Sequence, residues 1–418
     1  MVNALMSLTS GRNKMDQQFR SAGYDWRLYY GSNVIEQHLP EAVKRAKAQR
    51  VFVVCSPSIT RSTNVIDRLQ VALGTLFAGF YDGIEKDSTF TSVMAACEAA
   101  KAADADLLVA IGGGSVIVAA RAVAIFMAEK VSPYELMTQY PEGKRPFSPR
   151  LMAPKLPIVN IPSTPTNAMN RAGTGLKNTQ LDHRMEFFDP KTRPQSIFLD
   201  TDFLLTTPDG VLRSTATTVF ADAVSSFNDS ATNPLVSGTL QTAFSLAYQA
   251  YLALSQNVDD PKLRLNLCLA AFLSNRAEDD GYRRNPNGPF AGNYAVSTAL
   301  HIRFPEVGQG ESTSVLHSTV LRRKAEEVTA RQAQRAGTAL GIWQEGMTGN
   351  EAAMATADRI DAIYDTQGIP TRVSQLGIPF EDLPLIAEET VKNFNASSGT
   401  RSPEQQTKAA LALLEAAW

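Results

Sequence analysis

The sequence predicts an α/β N-terminal domain on a parallel sheet, residues 1–205, followed by an all-α C-terminal domain, residues 206–418. Three observations lead there. From about residue 25 short apolar runs alternate with amphipathic stretches, which is the pattern of βα units. A glycine triplet joins one of those runs to a helical stretch. Beyond about residue 205 strand-like runs give way to long alanine- and leucine-rich amphipathic stretches that continue to Trp418.

Taken in order, residues 50–58 (RVFVVCSPS) read as a buried strand ending in turn residues, and 64–74 as a helix. Residues 91–105 carry apolar side chains at helical spacing, 106–115 (DLLVAIGGGS) read as a strand running into glycines, and 116–130 continue as a helix. Residues 156–167 (LPIVNIPSTPTN) and 195–200 (QSIFLD) read as two more strands. Strands that are apolar throughout and separated by helices argue for a parallel, Rossmann-like sheet covered on both faces. The helical half opens at TTPDGVLR, where Thr207 offers an N-cap, Pro208 the first helical position and Asp209 a first-turn acid.

Composition narrows the function classes. Against 40 basic residues stand 42 acidic ones, for a net charge of −2, and no long run of like charge gives a polyanion footprint, so no nucleic-acid partner is expected. The apolar share of 44% and charged share of 20% suit a folded chain with a sizeable core. Cys55, Cys97 and Cys268 form no C-x-x-C pair, which suits a reducing compartment. The opening MVNALMSLTSGRNKMDQQ lacks the basic start and apolar core of a secretory signal, and no run reaches the ~20 apolar residues of a membrane span. A cytoplasmic protein with no membrane partner is the expectation. Histidine is scarce, only His38, His183, His301 and His317, which limits any metal site.

Gly112, Gly113, Gly114 and Ser115 stand between a predicted strand and a predicted helix. Residues without Cβ let backbone N–H groups approach an anion, and the helix turns its positive end to the same point, an arrangement suited to a diphosphate. A tight strand-to-helix turn would use glycines as well. The run is not G-x-G-x-x-G, so it does not by itself announce an ordinary dinucleotide fold.

These residues resemble the iron-containing alcohol dehydrogenase superfamily. The resemblance runs over nearly the whole chain, through AIGGGSVIVAARA, IPSTPTNA, a helix carrying Asp222-Ala223, VFVVCSPSI and ATNPLVSG. VVCSPS, GLKNTQLDHRMEFFDP and the non-acidic Val118 look most like its maleylacetate reductase branch. The resemblance implies a dehydroquinate synthase-like architecture, with NAD or NADP on the α/β domain and substrate chemistry on the helical domain. It implies diphosphate contacts from Gly112, Gly113, Gly114 and Ser115, with Ser56 and Pro57 near the adenosine and Ser163, Thr164 and Asn167 beside the ribose or nicotinamide. No acid stands in VVCSPS to repel a 2′-phosphate, and Arg61 is close, so both nucleotides stay open. A homodimer is also implied, through segments such as DWRLYYGSN.

The departures concern the metal. The superfamily holds it with an Asp, a His one helical turn later, and two more His, the last in an H-G pair. The corresponding positions here are Asp222, Ser226, a window at residues 295–297 without His, and Gln309-Gly310. One ligand of four survives, too few for a transition metal, so no metal is expected. His301 and His317 sit in apolar helical contexts and read better as packed side chains than as ligands. Asp222 is open to hydrogen bonding with Ser225 or Ser226.

The expected function is a metal-independent NAD(P)H-linked oxidoreductase that reduces an activated carbonyl or conjugated enone of a small molecule. Conjugation spreads the incoming charge and removes the need for a Lewis acid. His301 is the candidate proton donor, Tyr294 and Asp222 stand with it as candidate catalytic residues, Tyr294 and Asn293 are candidates to line the substrate pocket, and Arg171 and Lys177 are candidate partners for a substrate carboxylate. The alternatives are a non-redox lyase or cyclase, or a nucleotide-binding pseudoenzyme, on the same fold.

Overall fold

The computed structural model describes residues 19–142, 144, 146–228, 233–286, 288–393, 396 and 402–418. The opening segment read above for a signal therefore lies outside the described residues, apart from its continuation at Phe19. Among the described residues there are eight strands: β1 (Arg27–Gly31), β2 (Val51–Val54), β3 (Phe77–Tyr81), β4 (Leu107–Gly112), β5 (Ile158–Pro162), β6 (Gly173–Leu176), β7 (Met185–Phe188) and β8 (Ser196–Asp200). Six form one sheet in the order β1-β8-β5-β4-β2-β3, every neighbouring pair parallel. β6 and β7 make a separate antiparallel hairpin.

Every residue of β2, β4, β5 and β8 is buried, because helices cover both faces of the sheet. Alternation divides the strands between two cores. Phe52, Val54, Leu108 and Ala110 face a core shared with α4 (Phe90–Ala102) and α5 (Gly114–Ala128). Val51, Val53, Leu107, Val109 and Ile111 face the other, shared with α1 (Val34–Ala46) and α3 (Val65–Leu73). The short α2 (Pro57–Ser62) and α6 (Pro133–Leu136) complete the helices of this half.

The strand order creates a crevice. From β2 the chain moves outward to β3, whereas from β4 it moves the opposite way to β5, although β2 and β4 are adjacent. Outside the carboxyl ends of such a divergent pair is where open α/β sheets take ligands. Ser56-Pro57 follow β2 and Gly112–Ser115 end β4, so the two segments read from sequence as cofactor-binding flank this crevice. β1 sits at the sheet edge.

From Asp200 onward the described chain is helical, with α7 (Thr201–Leu205), α8 (Asp209–Phe227), α9 (Pro234–Ala253), α10 (Pro261–Asp279), α11 (Tyr294–Arg303), α12 (Gln309–Arg323), α13 (Ala330–Ala339), α14 (Gly349–Thr366), α15 (Leu383–Glu389) and α16 (Pro403–Ala417). α8 lies at the centre against α9 and α12, and Phe220 on it stacks on Tyr251 at 4.8 Å between ring centroids. Gly310 at the start of α12 lies so close to the Ser214 backbone that a Cβ there would overlap it. This contact locks α12 onto α8.

One local expectation is corrected. Thr207 does not cap α8, whose N-cap is Pro208 without a side-chain bond. The Thr207 hydroxyl instead donates to Ser163 O, so a residue able to cap is used to tie the first core helix of the helical half to the loop after β5. Among the described residues no helix is long and apolar enough to cross a membrane, and all three cysteines are buried free thiols.

Candidate active site

The glycine run has a distinct geometry at each position. Gly112 ends β4 with φ +145°, which side-chain-bearing residues rarely adopt, and a Cβ there would lie 3.0 Å from Val116 Cγ2. Gly113 caps α5 with no side-chain bond, leaving the first N–H groups of the helix without an intrahelical partner, as an anion site requires. A Cβ on Gly114 would come within 2.9 Å of Thr166 Oγ1. The Ser115 hydroxyl accepts from Asp87 N at 3.1 Å and keeps its own proton to donate. Ser56 and Ser58 share a hydrogen bond of 2.9 Å at the start of α2.

Across from the glycines lies the loop after β5. Thr164 is 3% exposed, and its Oγ1 has no hydrogen-bond partner among the described residues. The same is true of Asn167 Oδ1. Buried polar groups are nearly always satisfied, so two unpartnered oxygens in one loop across from the glycine run have capacity to accept from a polar ligand. These residues fit a nicotinamide dinucleotide.

From this loop a continuous polar chain runs into the helical half. Asn275 on α10 donates to Asn167 O at 2.9 Å and to Asn170 Oδ1 at 2.6 Å, and accepts from Arg171 Nε at 2.5 Å. Arg171 pairs with Glu278 at 3.5 Å, and Glu278 accepts from Arg284 Nε at 2.9 Å. Arg284 then engages both carboxylate oxygens of Asp222, through Nη1 and through Nη2 at 3.2 Å, and Nη1 reaches Ser226 Oγ at 3.4 Å. Tyr294 Oη donates to Asp222 Oδ1 at 3.2 Å.

Arg284 and Tyr294 line a cavity of about 240 Å³ together with Ser226, Phe290, Asn293 and Gln332. Burial, helped by the Arg171 charge, pushes Arg284 down to about 9, so it remains a cation at neutral pH. Burial raises the Tyr294 hydroxyl while Arg284 and Arg171 pull it the other way.

The structure thus joins Asp222 and Tyr294, both singled out from sequence, whereas the hydrogen bonds of His301 go to Ser297 and Ser312. His301 Nδ1 donates to Ser297 O at 2.9 Å. Burial first, then the positive charge of Arg184, Lys86 and Lys177, push its pKa down to about 3, with the Ser297 bond opposing. An imidazole kept neutral this strongly is poorly matched to acid catalysis near neutral pH. His317 bonds Tyr364 Oη at 2.7 Å in the helical core. Of the two candidate partners for a substrate carboxylate, Arg171 is held by Asn275 and Glu278, and Lys177 donates to Ile302 O at 2.9 Å.

At the positions where the resemblance places metal ligands, Ser226 touches Arg284, Ser297 Oγ pairs with the hydroxyls of Ser312 at 2.9 Å and Thr313 at 3.1 Å, and Gln309 is exposed. Asp222 bonds neither Ser225, which turns to Ala221 O, nor Ser226. This donor set does not fit a divalent transition metal. Arg284, Glu278 and Asn275 were not found from sequence. The available signal was Asp222 itself, because a buried carboxylate stripped of its histidine partners still needs a countercharge, and Arg283-Arg284 supply the nearest candidates in the GYRRNPNG loop.

Comparison with known proteins agrees with this architecture. Residues 26–201 match the iron-containing alcohol dehydrogenase profile, and residues 214–418 match the C-terminal part of the Fe-containing alcohol dehydrogenase family. A maleylacetate reductase of Cupriavidus pinatubonensis is 28% identical over 248 residues, an alignment covering 59% of this chain and 60% of that protein. The alcohol dehydrogenase of a Red Sea brine pool archaeon superposes with TM-score 0.82 over 97% of this chain and 100% of its own, at 17% identity. Maleylacetate reductase from Agrobacterium tumefaciens superposes with TM-score 0.70 over 96% of this chain and 98% of its own, at 18% identity. With both halves matched in order, the chain belongs to the iron-containing alcohol dehydrogenase family.

Proposed function

We propose that the protein is an NAD(P)H-linked oxidoreductase that reduces an activated carbonyl or conjugated enone of a small molecule and needs no divalent metal to do so. The observation that carries the reading is the pair of unpartnered buried atoms, Thr164 Oγ1 and Asn167 Oδ1, set beside the glycine cradle at the β2/β4 crevice. A bound reduced nicotinamide supplies the hydride. Gly112–Gly114 and the start of α5 take the diphosphate, Ser115 donates to it, and Ser56 and Pro57 border the adenosine end. Thr164 and Asn167 offer their free oxygens to ribose or carboxamide.

On the helical side Tyr294 is the proton donor. Its hydroxyl, which in the resting site donates to Asp222 Oδ1, would turn that proton to the substrate oxygen at the cavity, and the phenolate left behind would face Arg284, which stabilises it. The names of the relatives, a maleylacetate reductase and alcohol dehydrogenases, support carbonyl–alcohol chemistry. The unpaired outer edge of β1 among the described strands supports a homodimer formed there, and the three free thiols support the cytoplasm.

The test is a titration of chelator-treated protein with NADH and NADPH, followed by nicotinamide fluorescence and by thermal stability. Saturable binding of at least one, with a raised Tm, is expected, and the preferred nucleotide decides what the acid-free Ser56–Arg61 segment accepts. Failure of both to bind would overturn the reading.

A further inference from the structure

Asp222 is 1% exposed, and in this family its place is beside a positive ion. Here Arg284 contacts both its oxygens and also the serine that stands one helical turn later, where the family has a histidine. The guanidinium therefore occupies the space between the two positions that would otherwise share a metal. Glu278 fixes it from behind through Nε at 2.9 Å, and Arg171 in turn fixes Glu278. Held at both ends, the Arg284 fork cannot swing away without leaving the buried Asp222 carboxylate without its countercharge.

We propose that the Arg284 guanidinium is the resident cation of this active site, standing in the place of the divalent ion and excluding it, and that it presents its remaining N–H to the oxygen of a neutral carbonyl ligand. The last clause rests on the oxidoreductase reading above, and the first does not. A guanidinium has five N–H donors. Nε is engaged by Glu278, Nη1 by Asp222 and Ser226, and Nη2 by Asp222. One Nη2 hydrogen is left without a partner among the described residues, on a side chain that lines the 240 Å³ cavity and is 23% exposed.

The charges also choose the ligand. Arg284 and Arg171 are balanced by Asp222 and Glu278, so the cluster offers no net positive charge to an anion. What it offers is a fixed, water-poor dipole and a charged donor, which favour a neutral oxygen that gains negative charge during reaction. Unlike a bound metal, this cation cannot be removed by chelation.

The experiment uses the full chain treated with chelator and then given Zn²⁺ alone, read by calorimetry and thermal stability. Wild type is expected to bind no stoichiometric Zn²⁺ at Asp222. Arg284→Ala is expected to lose thermal stability, and to regain it with low-millimolar guanidinium but not with tetramethylammonium or with Zn²⁺, for which Asp222 alone is too few ligands. The guanidinium rescue should vanish when Asp222→Asn is added. Stoichiometric Zn²⁺ binding by wild type that disappears in Asp222→Asn, or an Arg284→Ala variant as stable as wild type, would overturn the proposal.

If Arg284→Ala does not fold, the wild-type Zn²⁺ measurement still decides, and Arg284→Lys, which keeps charge without the fork, supplies a folded comparison. For the ligand clause the probe is 2-cyclohexen-1-one, a neutral enone observed by its infrared carbonyl stretch. A shift to lower frequency on wild type, absent on Arg284→Lys, is expected, and an unshifted stretch on wild type overturns that clause. Neither readout depends on nucleotide binding, so failure here and failure of the oxidoreductase reading are separable.

Discussion

Thr164 Oγ1 lies 3.7 Å from the point that a Cβ on Gly113 would occupy, an ordinary van der Waals distance. A small side chain at Gly113 is therefore tolerated by the fold, but it fills the space between the glycine run and the unpartnered hydroxyl. Gly113→Val should weaken NAD(P)H binding by roughly 100-fold or more, about 2.8 kcal/mol, with Tm nearly unchanged. Gly112→Ala differs, because at φ +145° its Cβ meets Val116 and the protein itself is destabilised. Fluorescence titration and thermal melts of both variants check this contrast, and undiminished affinity in Gly113→Val would remove the cradle from the cofactor site.

Tyr294 lines the cavity and donates its hydroxyl to Asp222. Tyr294→Phe keeps the ring and deletes the hydroxyl. The expected result is a fall in kcat of roughly 10²–10⁴-fold, the usual range for a lost general acid, with nucleotide affinity unchanged. Steady-state rates with an enone substrate, set beside a nucleotide titration, measure both quantities. An unaltered kcat would leave Tyr294 as packing.

The pattern of success and failure in reading the sequence follows from burial. β2, β4, β5 and β8 are covered on both faces and so appear as unbroken apolar runs. β1 and β3 are short, partly exposed and rich in aromatic residues, and the hairpin of β6 and β7 has only four residues per strand, so none stands out from a loop. In the site, Asp222 is visible because a helix position and a family pattern both point to it, and Tyr294 because it shares a segment with His301. Arg284 was not, since it meets Asp222 across 62 residues of sequence from a polar loop whose composition looks like surface. Thr207 shows the same limit on a smaller scale, because local capping chemistry lost to a tertiary bond with Ser163.

Asn275 is the joint between the cofactor loop and the charged cluster, bonded to Asn167 O, Asn170 and Arg171. Asn275→Leu conserves size and removes all three bonds, leaving buried polar groups unpaired. A loss of about 3 kcal/mol is expected, the upper end for one unsatisfied buried group. Because the same change frees the Asn167 loop and Arg171, NAD(P)H affinity should fall as well. Denaturant unfolding and nucleotide titration on one preparation test the coupling, and lost stability with unchanged affinity would show the chain of contacts to be structural only.

Acid should weaken this protein through its buried imidazoles. His317 is 1% exposed against Tyr364, and burial pushes it down to about 4 from its ordinary 6.5. In the unfolded chain the same imidazole takes up its proton near 6.5, so between about 6.5 and 4 the unfolded state binds more protons and stability falls as pH falls. Below about 4 both states are protonated and this contribution stops changing. A shift of that size corresponds to on the order of 3 kcal/mol across the window. His301, pushed down to about 3, adds a second contribution of the same sign that extends lower. Urea unfolding at a series of pH values should show the decline, and His317→Gln, which carries no titrating group and still reaches toward Tyr364, should make it shallower, leaving the His301 contribution, while lowering stability at pH 7. If the variant and the wild type lose stability in parallel between pH 6.5 and 4, the buried imidazole is not the source.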